Sequence, residues 1–216
     1  MKIKTMLYVG LMSVLGYTAN AQNKFIDASL GYNALETAVT NSEGTDNQAF
    51  GVRNRALIAG DANIGPVSVG YSGLHDINDA DINTYLSRNV ARAGIKGIKT
   101  SAAVIVKATN KDILDTKVGI RDQYLTGLLG LYGWVDITAN SKAANITTFL
   151  GKEVAKGTSV EVFNSLETPY KDARSNYTEF QVNHDIASHL AAFLRAEVSN
   201  LKFQKGTYMA GISVKL

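Results

Sequence analysis

Along most of the chain apolar and polar residues alternate one for one, in blocks of about ten residues separated by polar or glycine-containing joints. This is the period of β-strands whose two faces meet different surroundings. Ile26, Ala28, Leu30 and Tyr32 alternate with Asp27, Ser29 and Gly31. Phe50, Val52, Ala56 and Ile58 alternate with Gly51, Arg53 and Arg55, and Asn54 interrupts the apolar face. Val67, Val69 and Tyr71 follow Pro66; Tyr85, Ala91, Ala93 and Ile95 stand against Arg88, Arg92 and Lys96. Further blocks set Ala102, Val104 and Val106 against Lys107, Val118, Ile120 and Tyr124 against Arg121 and Gln123, and Leu129, Leu131, Val135 and Ile137 against Asp136. Residues 146–155 are ambiguous, because Lys152 and Glu153 are adjacent and must face opposite ways. Val160 and Val162 oppose Glu161; Thr178, Phe180 and Val182 oppose Glu179 and Gln181; the row from Leu190 to Val198 opposes Arg195 and Glu197. The last block, Tyr208 to Leu216, opposes Thr207, Ser213 and Lys215.

Twelve blocks result, or ten if two weak ones merge. Membrane strands of roughly 10 residues leave connections of about six residues each, a comfortable mean for antiparallel hairpins. The joints alternate in length. Residues 36–47, 74–83 and 167–174 read as long polar loops, 60–65 as a shorter one, and Lys156-Gly157 and Asn183-His184-Asp185 as tight turns. Long loops at one end and short turns at the other are the habit of membrane barrels, and an even strand number puts both termini at the short-turn end.

The first 21 residues follow a different logic. Lys2 and Lys4 precede an apolar run from Met6 to Gly16, and Ala19-Asn20-Ala21 forms a small-residue cleavage site. That order reads as a secretory signal, and the run is too short to span a bilayer, which takes roughly 20 apolar residues. Residues 22–216 then form a single domain. No later stretch approaches a transmembrane helix, so an exported chain of this kind is periplasmic, secreted, or threaded into an outer membrane as a closed barrel.

Composition narrows the choice. The chain of 216 residues has no cysteine, which removes disulfide scaffolds, thiolate metal sites and cysteine nucleophiles. Its net charge of +3 falls to +1 once Lys2 and Lys4 are cut away, too balanced for a nucleic-acid footprint. A mean hydropathy of -0.04 is the average expected when one face of each strand meets lipid and the other meets water. The decisive feature is the C-terminus, where stepping back by twos from Leu216 gives Leu, Val, Ile, Ala and Tyr, an apolar row running to the chain end. Terminal residues fray unless something buries them.

A signal segment, alternating blocks and a terminal apolar strand together resemble a Gram-negative outer-membrane β-barrel. The stretch from Leu150 to Val162 is similar to a strand, basic-Gly-Thr turn and strand of bacterial porins. Porin-type chains usually close with an aromatic residue, whereas this one closes with Leu216. The resemblance implies an antiparallel up-and-down transmembrane barrel, probed as a small porin or channel for small solutes, with assembly machinery engaging strand 208–216. It also implies a monomer in outer-membrane lipid, with no cofactor, no metal and no nucleic-acid partner.

Arginines in mid-strand carry the functional expectation, since a cation on the lipid face costs about 2–4 kcal/mol near the midplane. Arg53, Arg55, Arg88, Arg92, Arg121 and Arg195, with Lys96 extending the Arg88 row, are therefore expected to line the lumen, together with Asp136, Glu161, Glu179 and Glu197. Either the cations form a track for anionic solutes, resembling small anion-selective or acidic-sugar channels, or they pair with the acids in a plugged interior. The plugged form suits a structural or adhesive barrel working through its loops. His184, Asp185, Ser188 and His189 evoke a hydrolase, but a turn followed by opposite strand faces separates them, and a polar turn is the expected reading. His75 with Asp76, Asp79 and Asp81 reads as solvated loop charge. Tyr32, Tyr71, Tyr85, Tyr124, Trp134, Tyr170 and Tyr208 are expected in interfacial girdles.

Overall fold

A computed structural model describes residues 26–30, 34–42, 49–78, 85–109, 112–124, 127–203 and 206–215. The signal segment, Tyr32, Asp79, Asp81 and Leu216 lie outside the described residues. Thirteen strands run in order: β1 Ile26–Leu30, β2 Ala34–Ser42, β3 Ala49–Ile64, β4 Val67–Asn78, β5 Tyr85–Ile95, β6 Thr100–Thr109, β7 Ile113–Asp122, β8 Leu131–Ala139, β9 Ala143–Ala155, β10 Thr158–Pro169, β11 Ser175–Ala187, β12 Leu190–Ser199 and β13 Thr207–Lys215. Every pairing is antiparallel between neighbours, and β13 returns to β2, so the sheet closes. β1 and β2 share one position in the ring: β1 pairs with the second half of β3, Ile26 opposite Ile64, and β2 with its first half, Ala34 opposite Leu57. The result is a closed twelve-stranded up-and-down barrel.

Closure satisfies the backbone donors and acceptors of every ring strand without water, the condition for crossing a bilayer with strands. Alternation then assigns the faces. On β2, Ala34, Glu36 and Ala38 are buried while Leu35 and Val39 are exposed. On β7, Lys117 and Arg121 are buried while Val118 and Ile120 are exposed. The exposed row continues through Val104, Ile137, Ile146, Phe180, Leu194, Tyr208 and Ile212, an apolar outer wall.

Several joints lie elsewhere than the polarity of their residues suggests. Most of 36–47 belongs to β2, where Glu36 faces the lumen and Thr37 Oγ1 donates to Asn54 Oδ1 at 2.9 Å on the outer wall. Residues 60–64 complete β3, so the turn is Gly65-Pro66, and β4 carries His75 and Asp76 within the strand. β10 reaches Pro169, so only residues 170–174 of the stretch 167–174 connect it to β11. β11 runs to Ala187, which places His184 and Asp185 in the strand and Ser188-His189 in the turn. One end of the barrel carries the start of β1, the end of β13 and the joints 65–66, 96–99, 123–130, 156–157 and 188–189. The other carries the ends of β2, β4, β6 and β12, the starts of β3, β5, β7 and β13, and the joints 140–142 and 170–174. The joint 123–130, with a 3₁₀ turn at Leu128–Gly130, is the longest at its otherwise short-turn end. In the ambiguous block Glu153 pairs with Ser159 and shares its lumen-facing parity, while Lys152 stands on the outer face near the short-turn end.

Candidate functional site: an ion-paired layer in the lumen

The strand parity that turns valine and isoleucine outward turns every mid-strand arginine inward. Arg53, Arg55, Arg88, Arg92, Arg121 and Arg195 all face the lumen, with Asp136, Glu161, Glu179 and Glu197. Lys96 does not join the row, because β5 ends at Ile95 and Lys96 is an exposed turn residue whose N–H donates to the Pro66 carbonyl at 2.9 Å.

Each of the six arginines meets a carboxylate. Arg53 donates to Asp76 and to Glu197, both at 2.7 Å. Arg55 Nε donates to Asp76 Oδ1 at 2.7 Å and its Nη1 to Glu179 Oε2 at 2.9 Å, with Glu197 at 3.3 Å. Since Glu179 stands on β11, four ring positions from β3, this guanidinium reaches over β2, β13 and β12 across the lumen. Arg195 donates to Glu36 at 2.5 Å and to Gln181 at 2.5 Å. On the opposite wall Arg121 grips Asp136 with two bonds, Nε to Oδ1 at 2.6 Å and Nη2 to Oδ2 at 2.7 Å, and Arg88 adds a third at 3.0 Å. Arg92 donates to Asp61 at 2.6 Å nearer the short-turn end. Arg92 lies flat over Gly70, where a Cβ would stand 2.6 Å from its Nη2. That glycine is what lets the pair span β4.

Aromatic rings join the two ion clusters. Trp134, Phe149, Phe163 and Tyr177, on β8 to β11, contact in sequence with centroid separations of 6.1 Å, 6.2 Å and 6.3 Å for Trp134–Phe149, Trp134–Phe163 and Phe163–Tyr177. The Arg121 guanidinium lies 3.9 Å from the Trp134 ring centre and that of Arg88 5.5 Å from it. Both positions suit cation–π attraction. The Tyr177 hydroxyl donates to Glu179 at 2.8 Å, which connects the arc to Arg55. Trp134 is thus a lumen residue and not part of a girdle; it lies two positions before Asp136 and shares its face. Glu161 is outside the arginine pairs and accepts from the Tyr132 hydroxyl at 2.6 Å.

The layer is dry at its centre. Asp136 is 0% exposed, Arg121 2%, Arg55 4% and Arg195 5%. Charges so placed persist only when paired, since removing one partner of a buried pair costs about 3–5 kcal/mol.

Sequence reasoning missed Glu36, Asp61, Asp76 and Glu167, hidden in segments read as loops, together with Lys107, Asp115 and Lys117 and the lumenal aromatic arc. The hydrolase-like residues are engaged separately. His184 Nδ1 meets Thr158 Oγ1 at 2.9 Å, Asp185 pairs with Lys215 at 2.5 Å, and Ser188 and His189 form a turn. Among the described residues no group of three His, Asp or Glu could hold a metal ion.

The fold is a closed twelve-stranded up-and-down β-barrel of the porin-like kind, with an ion-paired lumen. The chain resembles a KdgM porin with a TM-score of 0.52 at 10% identity, over 85% of this chain and 99% of that one. A second barrel, from work on in-meso crystallisation of membrane proteins, gives a TM-score of 0.52 at 8% identity, over 86% and 83%. No protein-family model matches the chain, and no curated protein does.

Proposed function

We propose that this protein is a monomeric outer-membrane channel for small solutes whose path is closed at rest by the ion-paired and aromatic layer. The observation that carries this is the pairing of all six lumenal arginines around a core containing Asp136 and Arg121 at 0% and 2% exposure. An open anion track needs guanidinium groups facing water, and here they face carboxylates. Residues 1–21 would direct export, and strand 208–216 would engage the assembly machinery. The porin-like fold supports the channel reading, and the filled lumen limits its resting conductance.

Single-channel recording in planar bilayers tests it. Wild-type protein is expected to give rare, small openings, and the double variant Arg55→Ala/Glu179→Ala, which removes the longest bridge across the lumen, a larger and steadier conductance. A large, steady wild-type conductance would overturn the closed layer. Silence of both proteins would favour the second reading the same layer supports, a non-conducting barrel acting through the loops at the end bearing 170–174.

A further inference from the structure

The two ion clusters do not balance internally. Around Arg53, Arg55 and Arg195 stand four carboxylates, Glu36, Asp76, Glu179 and Glu197. On the facing wall four cations, Arg88, Lys107, Lys117 and Arg121, share three carboxylates, Asp115, Asp136 and Glu167. The surplus falls on Lys107. Its partners across β5 and β7 are Arg88 and Asp115, so its side chain projects into the lumen near the long-loop end. Among the described residues, the carboxylates within its reach are already held. Lys117 Nζ pairs with Asp115 and, at 3.1 Å, with Glu167, and the Asn140 amide donates to the remaining oxygen of Asp115 at 2.6 Å. Asp136 is held by Arg121 and Arg88. Lys107 is the one lumenal cation among the described residues without an ion pair.

We infer that Lys107 is the anchor of an anion-binding subsite at the long-loop mouth of the lumen, taking one carboxylate or phosphate group of a small solute. The half-buried ammonium supplies three donors in a lumen that screens charge less than bulk water. Arg88 lies beneath it and Lys117 beside it, and both add positive potential while their own carboxylates stay in place. The guanidinium of Arg88 touches the ring of Trp134, the single tryptophan of the chain, so occupation of the subsite reaches an intrinsic fluorophore. As a stopping place for solutes the subsite rests on the channel reading; as a binding site it stands without it.

The experiment measures binding to the folded full barrel in detergent micelles, with inorganic phosphate and malonate as probes in a buffer free of other small anions. Wild-type protein is expected to show saturable binding by calorimetry, accompanied by a change in Trp134 emission. K107Q should weaken it at least about tenfold and K107R retain it, as a charge-assisted contact requires. The control Lys152→Gln, on the outer wall, should match wild type. Lys107 holds no ion pair, so its replacement strands no partner, and heat-modifiable migration verifies that the variant is folded. On the wild-type protein alone, phosphate should protect the Lys107 amine from acylation, read by mass spectrometry. Absence of saturable binding, equal binding by K107Q, or acylation of Lys107 unaffected by phosphate would each overturn the assignment. Bilayer silence of wild type and of the Arg55/Glu179 variant together would remove the channel reading and leave these binding results standing.

Discussion

Replacing Asp136 by alanine tests the ion-paired layer at its most buried point. The carboxylate receives bonds of 2.6 Å and 2.7 Å from Arg121 and of 3.0 Å from Arg88, and it is 0% exposed. Asp136→Ala leaves two guanidinium groups in a dry environment, Arg121 at 2% exposure, with the Trp134 ring as their main remaining neighbour. The expected loss is about 3–5 kcal/mol, the cost of stranding a buried charge. With a urea dependence of about 2 kcal/mol per molar, the unfolding midpoint should fall by about 1.5–2.5 M. Trp134 emission, recorded on protein folded into lipid vesicles, follows the transition directly because the ring is part of the layer. Replacing all three charges, Arg88→Met and Arg121→Met with Asp136→Leu, should recover most of the loss, since apolar groups of similar volume in place of a buried ion cluster are often neutral or better. A midpoint shift below about 0.3 M for Asp136→Ala would refute the reasoning, because guanidinium groups that tolerate the loss of their carboxylate must already be in contact with lumen water.

The outer wall gives a contrasting expectation: Val118→Arg, on the lipid face of β7, should cost about 2–4 kcal/mol in vesicles, measured by the same urea transition. Gly70→Leu should dislodge Arg92 from Asp61, yet cost less than about 1 kcal/mol from that pair, because Asp61 is 49% exposed; a larger loss would assign Gly70 a packing role instead. Deleting residues 208–216 removes β13 and with it both the β12 and β2 seams, so the truncated chain should fail to show heat-modifiable migration and fail to appear in the outer-membrane fraction.

The barrel was legible because period-two alternation is a local property, and valine or isoleucine opposite arginine fixes the face at each position. Trp134 reads as an interfacial residue by chemical type, although it shares parity with Asp136, and no polarity signal in their blocks marks Phe149 and Phe163 as lumenal. Polarity misled at β2, the end of β3 and β4: Glu36, Asp61 and Asp76 look like loop residues until strand register sets Asp76 opposite Arg55, Asp61 against Arg92 over β4 and Glu36 against Arg195 over β13. That step depends on long-range register, which spacing along the chain does not contain. Whether the arginines faced water or carboxylates could be decided only there, and so could the isolation of Lys107.

The seam between β13 and β2 joins residues 207–215 to residues 34–42, almost the whole length of the chain. The bridges from Arg55 to Glu179, Arg53 to Glu197 and Arg195 to Glu36 span 124, 144 and 159 residues of sequence. The Arg195–Glu36 bridge and the seam itself wait for the C-terminal strand to dock, whereas Arg121–Asp136 and Arg55–Asp76 join neighbouring strands and can pair as soon as those strands meet. Such a high contact order makes folding slow and late. Neutralising the lumen is therefore staged: pairs between neighbouring strands can match their charges early, and the Arg195–Glu36 bridge and the outer wall are completed only when the last strand docks.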